Sequence, residues 1–298
     1  MSFDLWFATK ATNANLDIRQ IRDWFTNRLH YDPDGLENNQ VIYENQDTGV
    51  YFTFEFGEFF DPHDLPDMDR PVEIILLLNY LRPKFFALEC VFEIQALVDQ
   101  FDLQVADPQE CEQDYSAFDE AQFVQSFSKH SCQAVRALRE NHDYEPKPIS
   151  SEKLEVAWRW NFEKHEREKQ TSADVFFPTI FWFEANNTIS SGVVWSDGIP
   201  TVIPPCDSIY LHWDELAGRR VFGINLGKLK TDQLYDKSVL DDIFTEFYEK
   251  ADSNGCLWPR AYNRPAKLTK ILRAFERTGA LPQMLQANAV IDDSFVDS

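Results

Sequence analysis

The sequence predicts an α+β fold in two units, each a mostly antiparallel sheet packed with helices. Three observations predict it. Val50, Phe52, Phe54 and Phe56 alternate with Tyr51, Thr53 and Glu55 just after the turn formers Asn45–Gly49, the pattern of a hairpin with one buried face. Apolar residues at helical spacing mark long helices over 84–101 and 152–169,. Between them His142–Pro148 carries two prolines and no periodicity, as linkers do. The expected division is an acidic N-terminal unit over 1–112, a helix and linker over 113–149, and a C-terminal unit over 150–298. With 298 residues and 44% hydrophobic content the chain can bury a sizeable core,.

In order, Phe3–Phe7 reads as a first strand. Asn15 is placed to cap a helix over Leu16–Leu29, where Ile18, Ile21, Trp24, Phe25 and Leu29 recur at near-helical spacing,. The hairpin follows, then a loop whose Pro62 and Pro66 exclude a regular helix,. Val72–Tyr80 is a nearly continuous apolar run, suited to an interior strand covered on both faces,. Lys84–Phe101 is a strongly buried helix and Leu103–Val105 a closing strand. A further helix runs from Ser116 to Asn141. The second unit opens with Ser150 or Ser151 capping an amphipathic helix,. Strands are expected over Val175–Glu184, Gly192–Trp195, Thr201–Ile203, Ser208–His212 and Arg220–Asn225, and two closing helices over Ser238–Ala251 and Pro265–Thr278. The tail Asp292–Ser298 is expected to fray,.

Charge is the dominant functional signal. The net charge is −22, and the stretch from Asp32 to Glu73 holds twelve carboxylates against the single cation Arg70, half of that total. Such a balance argues against direct binding of nucleic acid or anionic lipid, which requires Lys and Arg at the contact. The opening residues lack a cationic segment followed by an apolar one, and no apolar run approaches the roughly 20 residues that span a bilayer,. A cytoplasmic protein is therefore expected.

Chemistry-bearing motifs are sparse. No HExxH, GxxxxGK[ST], GxGxxG or GxSxG occurs, and the five cysteines form no CxxC pair,. Asp61, His63, Asp64, Asp67 and Asp69 include cation-ligand types, but without the glycine and terminal Glu of an EF-hand,. Cys206, Asp207, His212 and Asp214 are the only local group with thiol, imidazole and carboxylates. On one strand Cys206 and His212 would stand roughly 20 Å apart, too far for a nucleophile and its base. Neither metal nor cofactor is expected.

Four segments, Tyr43–Phe52, Asn79–Leu88, Val156–Asn161 and Val194–Pro200, together resemble an uncharacterised family of cytoplasmic proteins of Gram-negative bacteria. In general character the chain is also similar to immunity proteins against polymorphic toxins, including those delivered by type VI secretion. That likeness implies a binding protein, not an enzyme, whose partner is a cognate basic toxin such as a nuclease. The expected contacts are the carboxylates Asp32, Asp34, Glu37, Glu44, Asp47, Glu55, Glu58, Asp61, Asp64 and Asp67, with Tyr43, Tyr51, Phe59 and Phe60 as aromatic anchors,. The alternatives are an enzyme with a non-local site, an acidic adaptor, or a surface whose charge serves solubility.

Overall fold

The computed structural model describes residues 2–10, 16–57, 72–110, 114–140, 145, 147–196, 198–212, 220–221, 224–225, 233–250, 255–274 and 280–296. The fold is α+β, with mostly antiparallel sheets. Two compact units are formed by Met1–Ser151 with Asn288–Ser298, and by Glu152–Ala287. This division differs from the expected one at 112 and 150: the 113–149 segment and the C-terminal residues belong to the first unit.

The first unit is built on strands β1 (Ser2–Thr9), β2 (Tyr31–Asp32), β3 (Gln40–Asn45), β4 (Val50–Phe56), β5 (Ile74–Asn79) and β6 (Leu103–Ala106), with helices α1 (Ile18–Thr26), α2 (Phe85–Phe101) and α3 (Glu120–Glu140). The sheet order is β2-β3-β4-β5-β1-β6, all antiparallel. Strand alternation sends Phe3, Leu5, Phe7, Val41, Phe52, Phe54 and Phe56 to one buried face,. Helices pack on that face: Phe25 of α1 lies against Phe54 and Phe56, and Phe3 meets Phe123 and Phe127 of α3 edge-on.

Asp17, not Asn15, caps α1 by accepting from Arg19 N at 2.9 Å; Asn15 lies outside the described residues. The helix stops at Thr26, so Leu29 is 82% exposed. Ser116 does not begin a helix. It exchanges backbone hydrogen bonds with Val105, and α3 starts at Glu120 behind Asp119, whose carboxylate accepts from Gln122 N at 2.9 Å.

The tail is ordered as far as it is described, to Val296. Ile291–Asp292 pairs in parallel with β7 (Pro148–Ile149), part of the expected linker, and Phe295 packs on Val135 and Ile291. Asp292, 1% exposed, accepts from Lys84 N at 2.6 Å and so serves the start of α2, which has no capping side chain of its own,.

The second unit opens with α4 (Ser151–Gln170). Its buried Asn161 bonds both backbone groups of Ile180, at 2.9 and 2.8 Å, and Trp160 Nε1 donates to Pro178 O at 2.7 Å. These bonds fix the chain where Pro178 cannot donate and β8 (Ile180–Ala185) begins,. After β9 (Thr188–Ser196) and β10 (Ser208–His212) comes a small ribbon of β11 (Arg220–Val221) and β12 (Ile224–Asn225), then β13 (Gln233–Asp236). The expected long helix at Ser238 is shorter: α5 covers Asp241–Phe247, and Tyr248–Lys250 is strand β14, paired with β15 (Leu257–Pro259). Helix α6 covers Ala266–Ala274, and β16 is Gln283–Leu285. The sheet order is β13-β10-β9-β8-β16, with only β9 and β10 parallel. No described helix is long and apolar enough to cross a membrane.

Candidate protein-binding face

The hairpin β3–β4 holds its acidic residues on a defined side because its register is pinned from beneath. Glu89 on α2 is 1% exposed, and its Oε1 accepts from Tyr43 Oη and Asn45 Nδ2 at 2.8 Å and from Thr48 Oγ1 at 3.1 Å. One turn on, Glu93 accepts from Arg28 Nη2 at 2.6 Å and from Tyr31 Oη at 2.8 Å, tying the end of α1 and β2 to the same helix. Gly49 takes φ 73° in the turn, a conformation open to glycine at little cost,. A one-residue slip would bury the hairpin's carboxylates, so these bonds fix the chemistry of the open face as well as the strand.

That open face can be read row by row from the pairing register. One row runs Asp32, Ile42, Thr53, Leu77, Asp4; the next runs Gln40, Glu55, Ile75, Trp6, Ala106; and Glu44 sits opposite Tyr51. Glu44 is exposed, Glu55 half-buried and beside Gln40, whose Nε2 donates to it at 3.2 Å. Ile42 is 41% exposed. No Lys or Arg stands among the described strand residues of this face. Toward β6 the face is covered: Trp6, Leu77 and Tyr115 pack on Val72, Ile75 and Ala106. The interior strand foreseen at Val72–Tyr80 is therefore buried on one side and only partly covered on the other. Burial raises the pKa of Asp4, and its Oδ1 is a buried acceptor with no donor among the described residues.

The expected contacts fare unequally. Asp32, Asp34 and Glu44 are exposed, and Asp47 and Glu55 are intermediate. Asp32 also accepts from Asp34 N at 2.9 Å, capping the short 3-10 turn at Pro33–Asn38. Glu37 lies in that turn. Glu58, Phe59, Phe60, Asp61, Asp64 and Asp67 lie outside the described residues. Tyr43 is a correction: it is 2% exposed, stacked on Phe52 at 4.4 Å, because register places it on the helix side. Tyr51 is half-buried and its Oη accepts from Arg82 Nε at 2.9 Å. Sequence reasoning missed Ile42, which the hairpin register itself sets opposite Thr53, and Trp6 and Leu77, whose place on the acidic face depends on the order β4-β5-β1.

Other chemistry is limited. A cleft of about 470 Å³ in the first unit is lined by Asp107, Glu110, Asp114 and Asp119 beside Phe118 and Phe123. Three of its carboxylates already serve the fold: Asp107 accepts from Ser126 Oγ, Glu110 from Lys129 Nζ, and Asp119 caps α3. Among the described residues no group of three or more His, Cys, Asp or Glu side chains is placed to hold a metal ion. Cys206 is a half-buried thiol donating to Ser208 O at 3.5 Å; desolvation pushes it up to about 11 while Lys237 pulls the other way. It is therefore protonated at neutral pH and a poor nucleophile.

No family model, curated protein or solved structure matches this chain.

Proposed function

We propose that the first unit is the binding face of an immunity protein, which neutralises a basic toxin, a nuclease by preference, by covering its cationic surface. The observation that carries this reading is the open sheet face, where Asp32, Glu44 and Glu55 stand around Ile42 and Thr53, with Leu77 alongside and no strand cation among them. A nuclease must gather phosphate with Lys and Arg, so a fixed array of carboxylates competes for the same surface and speeds encounter. Ile42 and Leu77 supply the apolar centre that a bound surface needs to exclude water. The sequence after β4 carries the further carboxylates Asp61, Asp64 and Asp67. A catalytic reading around Cys206 and His212 has less support, since the thiol is held protonated.

The test is capture on the tagged full chain from its native cytoplasm at low and moderate salt, with bound proteins identified by mass spectrometry and assayed for nuclease activity. A stoichiometric basic partner whose activity is lost on binding is expected. A partner that is acidic, or that remains fully active when bound, would overturn the reading.

A further inference from the structure

Within a chain of net charge −22, the stretch 255–274 stands apart: it holds Arg260, Arg264, Lys267, Lys270 and Arg273 and no carboxylate. Part of it lines an open cleft of about 360 Å³ inside the second unit, where Arg260, Arg264 and Glu246 meet Pro200, Phe247 and Leu268. This site is unrelated to the acidic sheet face, and the immunity reading makes no use of it.

Its walls are held by bonds that fix their geometry. Trp195 Nε1 donates to Ile199 O at 2.8 Å, securing the turn on one side. Gly198 sits there at φ 68°, a conformation that favours glycine, and a Cβ on it would stand 2.5 Å from Leu272 Cδ1, so any larger residue would also have to displace that side chain of α6,. On the other side Arg260 N donates to Phe247 O and Arg260 Nε to Tyr248 O, at 2.9 and 2.8 Å. Arg260 Nη2 also donates to Thr245 O, at 3.4 Å, so the guanidinium is anchored along its Nε–Nη2 edge and the N–H donors beyond that edge remain to meet a ligand,. Glu246, the only carboxylate of the described lining, is paired with Lys267 at 2.5 Å. Its charge is offset from outside the pair of arginines.

Two guanidinium groups, an ion-paired carboxylate and apolar walls define a ligand by chemistry. We propose that this cleft binds a small oxyanion, a carboxylate or phosphate monoester carried on a compact apolar body, with Arg260 and Arg264 taking the oxygens and Pro200, Phe247 and Leu268 the body. Planar guanidinium forks match both anions bidentately. A long polyanion does not fit this description, because the rest of the chain repels it.

The test is calorimetric titration of the full chain with inorganic phosphate, phenyl phosphate and benzoate, ionic strength being matched with sodium chloride. Phenyl phosphate or benzoate binds saturably and more tightly than inorganic phosphate; whichever of the two is preferred assigns the anion. Arg264→Gln weakens binding by about tenfold or more, and Arg264→Lys, which keeps the charge but not the fork, by several-fold. Lys270→Gln removes the same charge from α6 outside the cleft and leaves affinity within about twofold. Thermal melts of each variant check that the fold persists. Absence of saturable binding by all three probes, or equal losses in Arg264→Gln and Lys270→Gln, overturns the proposal.

Discussion

The two units gather opposite charges in opposite geometries. In the first, Asp32, Glu44 and Glu55 stand on the open face of a strand array, beside exposed Ile42 and half-buried Leu77. In the second, cations of the 255–274 stretch border a cleft with apolar walls. A flat face offers any one small ion too few contacts, so it selects a large surface of opposite sign; a cleft with two guanidinium groups selects a small anion. The difference teaches that net charge alone says little about function. The curvature under the charge decides the size of ligand, and the bonds beneath it decide whether the array is rigid enough to recognise anything.

The largest effect is expected where that rigidity is removed. Glu89→Ala leaves three buried donors without their acceptor and costs about 3 kcal/mol or more in denaturant unfolding of the first unit, whereas Glu89→Gln keeps an acceptor and costs less. If the alanine variant is as stable as the parent, the acidic face is not held from beneath by these bonds. The second effect separates the two regions. Converting Asp32, Glu44 and Glu55 together to lysine slows association with a basic partner by up to about a hundredfold at low salt while leaving small-anion titration unchanged. Arg264→Gln should do the reverse, and an effect of either change on the other region's ligand would mean that the two sites are coupled.

Smaller changes probe the supports. Asp292→Ala strips the acceptor from Lys84 N and costs about 1–2 kcal/mol by thermal or denaturant unfolding. Burial raises the Asp292 pKa, the hydrogen bond from Lys84 N acting in the opposite sense. The folded state therefore holds that proton more tightly than the unfolded chain, and this group's contribution to stability falls as pH rises from about 4 through the folded value. Asp292→Asn abolishes that slope, so the asparagine variant gains on the parent between acid and neutral pH; a parallel pH profile for both would contradict it. Least of all, Cys206 should react slowly with a disulfide reagent at neutral pH and faster only as pH approaches about 11,. Rapid labelling in the native protein would revive a catalytic role for it.

Much of this was legible in the residues themselves. The alternation over Val50–Phe56 and the apolar run of α2 are local patterns, and both elements form where they indicate. The inward turn of Tyr43 was also available, since closing the hairpin with Asn45 opposite Val50 puts Tyr43 opposite Phe52 on the core side. The apolar half of the acidic face was not. Trp6, Leu77 and Glu55 share it only because β1 lies beside β5 and β5 beside β4, and sheet order is a long-range outcome. The tail misled for the same reason: a polar, acidic terminus looks solvated until Asp292 is given Lys84 N to bond and β7 to pair with. In the cleft, Arg260 and Arg264 could be counted in sequence, but Gly198 and Phe247 reach them only through the fold of the second unit.

The most direct measurement is stopped-flow association of the captured basic partner with the parent chain and with the Asp32, Glu44 and Glu55 triple-lysine variant over a range of salt. If the acidic sheet face is the docking surface, the parent's rate constant falls steeply with rising ionic strength, and the variant's is low and nearly flat, the two converging at high salt. Equal rate constants for the two proteins at every salt concentration would contradict it and move the binding site elsewhere on the chain.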